Sequence, residues 1–271
     1  GGGEVVTSLK KSLAVSKALR SIPSSRAPET LLPAVMRRVG LADTYWRLES
    51  PLGPVFVAHS KAGISMVSRA KSDADFERSF ERRYGRRAYP EKSVPPAAVR
   101  ALVRHVRGEE RRELSFDLRG LSEFERSVLL KALEIPTGEV RPYSWIAKEI
   151  GHPQAVRAAG TALAKNPVPL LIPCHRVVRS DGRLGKYSMG GARNKRTLLQ
   201  IEGAHPETLE KLASSGVRYL GNSKGMHYCY PTCGGIETLV ESNTVPFHTD
   251  AEALAAGYHP CSDCRPLAIA S

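Results

Sequence analysis

Two groups of residues in this chain have types and spacings that could do chemistry. The first is Cys174-His175-Arg176, inside "LLIPCHRVV". A neutral thiol is a poor nucleophile and the thiolate is the reactive form, so a histidine and an arginine beside it raise the question of a proton acceptor. Neighbours in sequence need not point the same way. On these residues alone Cys174 is a nucleophile, a metal ligand or a small buried apolar residue ahead of a strand, the last being the default. The second group is Cys229 and Cys233, spaced C-x3-C, with Cys261 and Cys264, spaced C-x2-C. Two close pairs separated by a longer segment suit the tetrahedral four-sulfur shell that Zn²⁺ prefers. Disulfides are the weaker alternative, because five cysteines without a signal-like start fit a reducing compartment. His227, His248 and His259 could compete as ligands, but four thiolates already close the shell.

Three helices are expected just upstream of Cys174. "SEFERSVLLKALEIPTG" opens with the capping-box pair Ser122 and Glu125; "SWIAKEIG" (144–151) is short; "PQAVRAAGTALAKNP" (153–167) ends at Asn166-Pro167. A tight turn before the third suggests a helix-turn-helix. Ala155, Ala158, Ala159, Gly160 and Ala162 leave that third helix almost bare. Such a face permits close approach to another surface, or tight packing on a neighbouring helix. Further upstream, residues 28–41 read as a short helix and 44–70 as three antiparallel strands broken at "SPLG" and "SKAG". In 73–85, Phe76, Phe80 and Tyr84 give a helix one apolar face; Val99, Leu102, Val103 and Val106 do the same in 95–108. Residues 113–120 read as a short strand. After Ser214 the chain turns Gly- and aromatic-rich and strand-like.

The chain has 271 residues, 41% hydrophobic and 25% charged, with net charge +13. Residues 216–271 hold three basic and five acidic residues, net −2, which leaves +15 on residues 1–215. That excess favours a polyanionic partner for the larger part. No apolar run approaches the roughly 20 residues of a membrane span. Residues 1–27 read as a basic flexible arm. Organellar import is not expected; a cytoplasmic, nucleoid or nuclear site and a monomeric state are.

"NPVPLLIPCHRVV", preceded by "RAAGTALAKNP" and followed by "GKYSMGGARNKRTLLQIEG", resembles the O6-alkylguanine-DNA alkyltransferases. The similarity runs from about Thr44 to Gly203. It implies an α+β fold: a small antiparallel-sheet, ribonuclease H-like domain over 28–120, and a winged helix-turn-helix-like catalytic domain over 121–206. It implies single-turnover repair of O6-alkylguanine, and of O4-alkylthymine, in double-stranded DNA, without a cofactor for the transfer. Cys174 is then the alkyl acceptor and His175 the base acting through a bound water. Glu202 orients His175, and Asn166 ties the turn before the active-site strand to the helices. Tyr143 assists at the leaving guanine, and Tyr187 and Ser188 form the loop that packs on the flipped base and donates to its O6. The third helix enters the minor groove, where Ala158 and Gly160 allow close approach and Arg157 takes the flipped base's place. One residue, about Met189, is inserted after the Tyr187 loop relative to shorter relatives. Pro169 and Gly185 are expected to leave the alkyl pocket roomy enough for groups larger than methyl. A rival within the family is a lesion-binding member without transfer; those members lack the acceptor cysteine.

"YCYPTC … FHTDAEALAAGYHPCSDCRP" resembles the Ada-type zinc domain, over about 218–266 within a 207–271 unit. The resemblance implies Zn²⁺ on Cys229, Cys233, Cys261 and Cys264. In repair members the cysteine matching Cys229 accepts methyl from DNA phosphotriesters. Here Tyr230 stands where those members place arginine, and Ser262 and Asp263 where they carry basic residues. A structural ribbon is therefore favoured, with a second acceptor at Cys229 as the alternative.

Overall fold

A computed structural model describes residues 28, 31–91, 94, 96–106, 114–237 and 243–266. The expected basic arm at 1–27 lies outside the described residues. The fold is mixed α+β: a four-stranded sheet, a helical middle and a second four-stranded sheet.

Helix α1 (Leu31–Arg38) leads into β1 (Ala42–Leu48), β2 (Val55–Ser60) and β3 (Gly63–Ser68). These pair antiparallel, as the turns between them require, with a bulge between Ala58 and His59. Helix α2 (Asp73–Tyr84) is capped by the Ser72 hydroxyl, which accepts from the Asp75 N–H, and ends at Gly85 in the left-handed region. It returns the chain to β4 (Arg87–Pro90), which joins the sheet beside β1 in parallel. The three strands expected over 44–70 did not include this fourth one. Phe76 and Phe80 are fully buried, and Phe76 stacks on Phe56 at 4.9 Å. Each such ring contributes about 2–3 kcal/mol by leaving water. Helix α3 (Pro96–Val106) buries Leu102 and Val106. The strand expected at 113–120 is a single bridge, Ile64 to Phe116. Its backbone passes so close to Gly63 that a Cβ there would lie 2.3 Å from the Ser115 carbonyl oxygen.

Helix α4 (Glu123–Leu133) carries the expected capping box. It is followed by β5 (Arg141–Pro142), α5 (Tyr143–Glu149) and α6 (Val156–Ala164), shorter than the segment its small residues suggested. A 3₁₀ turn at Cys174–Arg176 precedes β6 (Val177–Val178), which pairs in parallel with β5. The strand anticipated after Cys174, over residues 176–178, thus begins at Val177. Helices α7 (Gly191–Ile201) and α8 (Pro206–Ser214) complete the middle. The last unit is β7 (Tyr219–Asn222), β8 (His227–Cys229), a short α9 (Gly234–Glu237), β9 (Thr244–Phe247), α10 (Asp250–Ala255) and β10 (His259–Pro260), with sheet order β10-β8-β7-β9.

The first sheet helps aim the middle. The Val67 N–H donates to the Pro167 carbonyl at 2.8 Å, and Arg83 on α2 donates to the Lys165 carbonyl at 2.7 Å. A cation on the last carbonyl of α6 suits the negative end of a helix. No described helix is long and apolar enough to cross a membrane.

Candidate active site and metal centre

Asn166 sits where α6 ends and builds the turn that follows. Its Oδ1 accepts from the Val168 N–H at 2.9 Å, and its Nδ2 donates to the Ile172 carbonyl at 2.9 Å and to Cys174 Sγ at 3.2 Å. One buried amide thus shapes the loop and holds the sulfur. Leu170, within that loop, is buried with φ 74°, a conformation that costs a branched residue energy and persists because the surrounding bonds dictate it.

Cys174 and His175 are both buried, on successive positions of the 3₁₀ turn. His175 Nε2 lies 2.8 Å from Glu202 Oε1. An ionised carboxylate only accepts, so Nε2 carries the hydrogen and Nδ1 keeps its lone pair. Nδ1 is buried with no hydrogen-bond partner among the described residues, and the same is true of the Tyr187 hydroxyl. The Tyr187 ring meets His175 edge-on at 6.1 Å. Burial pushes the Cys174 thiol above its ordinary value, against the Asn166 hydrogen bond and the Lys195 charge. Burial also pushes the His175 imidazole down, against the pull of Glu202. At neutral pH the pair rests as thiol and neutral imidazole, so a nucleophilic sulfur requires proton transfer toward Nδ1.

Two residues of this site were not legible in the sequence. Arg176 clamps Glu202 with both sides of its guanidinium, Nε to Oε2 at 2.9 Å and Nη2 to Oε1 at 2.8 Å. It also donates to the Ile135 carbonyl and the Thr137 hydroxyl in the turn that follows α4. Burial raises the Glu202 carboxyl, but His175 and Arg176 more than offset this and hold it at about 2. Lys195 is fully buried, its Nζ 2.5 Å from the Val177 and Leu184 carbonyls. Burial lowers its pKa to about 8, with Cys174 opposing. It ties the strand after Cys174 to the loop that carries Tyr187. The available signal was its place on one helix face with Leu198 and Leu199, where a solvated lysine is out of register.

Tyr143 opens α5, and burial together with the nearby Cys174 raises its hydroxyl's pKa. Its ring lies along Gly160, where an added Cβ would stand 3.8 Å from Cδ1. Gly160 is half-buried and faces the Tyr143 ring. On α6, Ala159, Ala162 and Leu163 are buried, while Arg157, Ala158, Thr161 and Ala164 form an exposed face. Pro169 is buried beside the Asn166 turn, and Ser188 is exposed at the lip of the Tyr187 loop. Pro169 and Ser188 line one cleft of about 530 Å³ with Arg69, Lys71 and Arg83 of the first unit. Gly185 has φ 73°, and its missing Cβ would point at Arg179 Cγ, 3.2 Å away. Its glycine character answers to the turn and to Arg179.

The four late cysteines converge. Their sulfurs all lie within 4.8 Å of one another and all four residues are buried. Cys233 Sγ and Cys261 Sγ are 4.0 Å apart. Four sulfurs around one zinc, each at about 2.3 Å, stand about 3.8 Å from one another. The donor set and its spacing fit Zn²⁺.

Residues 123–204 match the family profile of the 6-O-methylguanine DNA methyltransferase DNA-binding domain, and residues 211–266 that of the metal-binding domain of Ada. The chain is 36% identical over 163 residues to the methylated-DNA–protein-cysteine methyltransferase of Methanosarcina acetivorans, covering 59% of this chain and 98% of that protein. It is 36% identical over 156 residues to the protein of the same name from Mycobacterium leprae, covering 57% and 89%. The crystal structure of Mycobacterium tuberculosis OGT in complex with DNA superposes with a TM-score of 0.50 at 32% identity, covering 62% of this chain and 99% of that one. The fold and site thus define a DNA methyltransferase-type domain joined to a four-cysteine metal-binding domain. The chain belongs to the methylated-DNA–protein-cysteine methyltransferase family.

Proposed function

We propose that this protein repairs duplex DNA by moving an alkyl group from O6 of guanine to Cys174, once per molecule. The observation that carries the reading is a buried sulfur held by Asn166 next to a histidine whose hydrogen-bonded side faces Glu202 and whose other nitrogen is free to take a proton. In the reaction the thiol proton passes toward His175 Nδ1, and the sulfur attacks the alkyl carbon in line. The new S–C bond forms as the C–O6 bond breaks, and its electron pair goes to the guanine. A guanine anion leaves poorly unless donors meet its charge. The Tyr143 hydroxyl supplies one at N3 and the Ser188 loop another at O6. The stable thioether ends the protein's activity.

A base inside a duplex must be extruded before its O6 alkyl carbon is accessible. The exposed face of α6 supports entry into the minor groove, with small Ala158 at the contact and Arg157 filling the vacated stack. The +15 carried by residues 1–215 supports phosphate-based, sequence-neutral binding. We assign residues 28–120 to a ribonuclease H-like domain, 121–206 to a winged helix-turn-helix-like catalytic domain and 207–271 to the ribbon. The protein acts as a monomer in the cytoplasm, nucleoid or nucleus. Mixed with a duplex holding one O6-methylguanine, each chain removes one methyl group and the titration then stops; DNA that keeps its methyl contradicts the reading. Pro169, buried beside the turn that holds Cys174, supports room for groups larger than methyl, so O6-benzylguanine is expected to label the protein too.

We assign the ribbon a structural role. Tyr230 follows Cys229 where repair members place arginine, and Ser262 and Asp263 stand where they carry basic residues, so the ribbon offers little positive charge to a DNA backbone. A Cys174→Ala protein mixed with a methyl-phosphotriester duplex is expected to stay unmodified; methyl on Cys229 would overturn this assignment.

A further inference from the structure

Helix α5 is two turns long and starts without a side-chain cap, because Pro142 occupies the capping position. A helix this short does not hold itself in place. Its first residue is Tyr143, so whatever fixes its ends fixes the tyrosine.

Both ends are held by the ribbon. Ahead of α5, the Thr232 hydroxyl accepts from the Val140 N–H at 2.8 Å. Glu139, ion-paired to Arg141, accepts from the Gly234 N–H at 3.3 Å. The Arg141 guanidinium lies between the Tyr230 ring at 5.6 Å and the Trp145 ring at 5.9 Å. At the other end, Arg265 pairs with Glu149 at 2.9 Å and lies 5.7 Å from the Trp145 ring centre. Thr232 stands inside the Cys229–Cys233 knuckle, and Arg265 directly follows Cys264. The same four sulfurs that fit a metal therefore join the two clamps at a set distance.

We propose that the ribbon positions Tyr143 for alkyl transfer, with Thr232 and Arg265 as positioning residues that act on it through β5 and α5. The inference rests on the assignment of Cys174 as acceptor and Tyr143 as donor. It gives the C-terminal unit a part in the reaction without any group of its own touching DNA. It also makes the coupling reciprocal: a metal that braces α5 is itself bound more tightly when α5 is in place.

The test is a double-mutant cycle on the full chain, reading the single-turnover rate of Cys174 alkylation at saturating O6-methylguanine duplex. Thr232→Val with Arg265→Ala is expected to slow transfer by about tenfold in the parent, the range of ordinary intersite coupling. The same pair is expected to change the rate less than about twofold once Tyr143 is phenylalanine, because nothing remains to position. Duplex affinity should hold throughout. Thr232→Ser with Arg265→Lys, which keep the hydroxyl and the charge, should restore most of the rate. In a Trp46→Phe protein, chelating the metal should shift Trp145 emission, and the Thr232→Val, Arg265→Ala pair should reproduce much of that shift with metal bound. Equal slowing in both backgrounds would reduce the ribbon to general stabilisation and overturn the proposal. So would no slowing in either, or a Trp145 signal blind to the metal. A parent chain that never alkylates Cys174 would instead overturn the functional reading beneath it.

Discussion

Glu202→Ala is expected to lower stability by about 3–5 kcal/mol, because it leaves a buried guanidinium without its counter-charge. Arg176 is 8% exposed and gives two of its donors to Glu202, so nothing nearby replaces the carboxylate. The same change releases His175 Nε2, and the imidazole loses the contact that fixes its tautomer. Alkyl transfer should fall by about a hundredfold or more, the usual worth of a positioned base. The two effects separate by pH. The Glu202 carboxyl sits at about 2 in the folded chain, below its ordinary 4.5. Its contribution is therefore complete above about 4.5 and is lost as pH falls from there through 2. Urea unfolding of parent and variant should differ most near neutral pH and converge toward pH 2. A gap that stays constant across that window would mean the ion pair is not what the mutation removed. On the kinetic side, His175 is held below its ordinary value by burial, so the parent's rate should decline only below about pH 6.5.

Withdrawing the metal is the second large perturbation. Structural zinc in four-ligand sites supplies about 10–16 kcal/mol of folding free energy at neutral pH, and a ribbon of this size has little else to replace it. Excess chelator, or Cys233→Ser, should open residues 219–266 to protease. The effect should reach the body, because the ribbon's Tyr219, Tyr228 and Tyr230 share one apolar core with Ile146, Leu171 and Ile172. Its unfolding midpoint should fall as Glu139, Arg141 and Glu149 also lose ribbon partners. A metal-free protein with the protease resistance and midpoint of the parent would contradict the assignment of Cys229, Cys233, Cys261 and Cys264 as one site.

Local rules carried much of this fold. The Ser122–Glu125 capping box marked the start of α4, and the Phe76, Phe80 and Tyr84 spacing marked the face of α2 that meets the sheet. Those signals act within a few residues, where spacing alone decides which side chains meet. Pairings across the chain left weaker traces. Strand β4 is four residues long and is defined by its parallel partner, β1. Residues 113–120 have strand-like composition, but only Phe116 bridges to the sheet. At the site, the resemblance named Cys174, His175, Glu202 and Asn166, and the structure brings these four together. Arg176 was read only as a basic neighbour of the thiol; its true partner lies 26 residues away, on the end of α7. The small residues of α6 leave open an outer contact or tight packing on a neighbouring helix; Gly160 packs on Tyr143 while Ala158 is exposed, because helix rotation, which composition does not encode, decides which small residues look inward.

The most direct test of the central claim is a peptide map after reaction with a duplex carrying one O6-methylguanine. A single added methyl group is expected, on Cys174, with Cys229, Cys233, Cys261 and Cys264 unmodified and the DNA returned to guanine. An unmodified protein, or methyl on any other residue while Cys174 stays free, would contradict it.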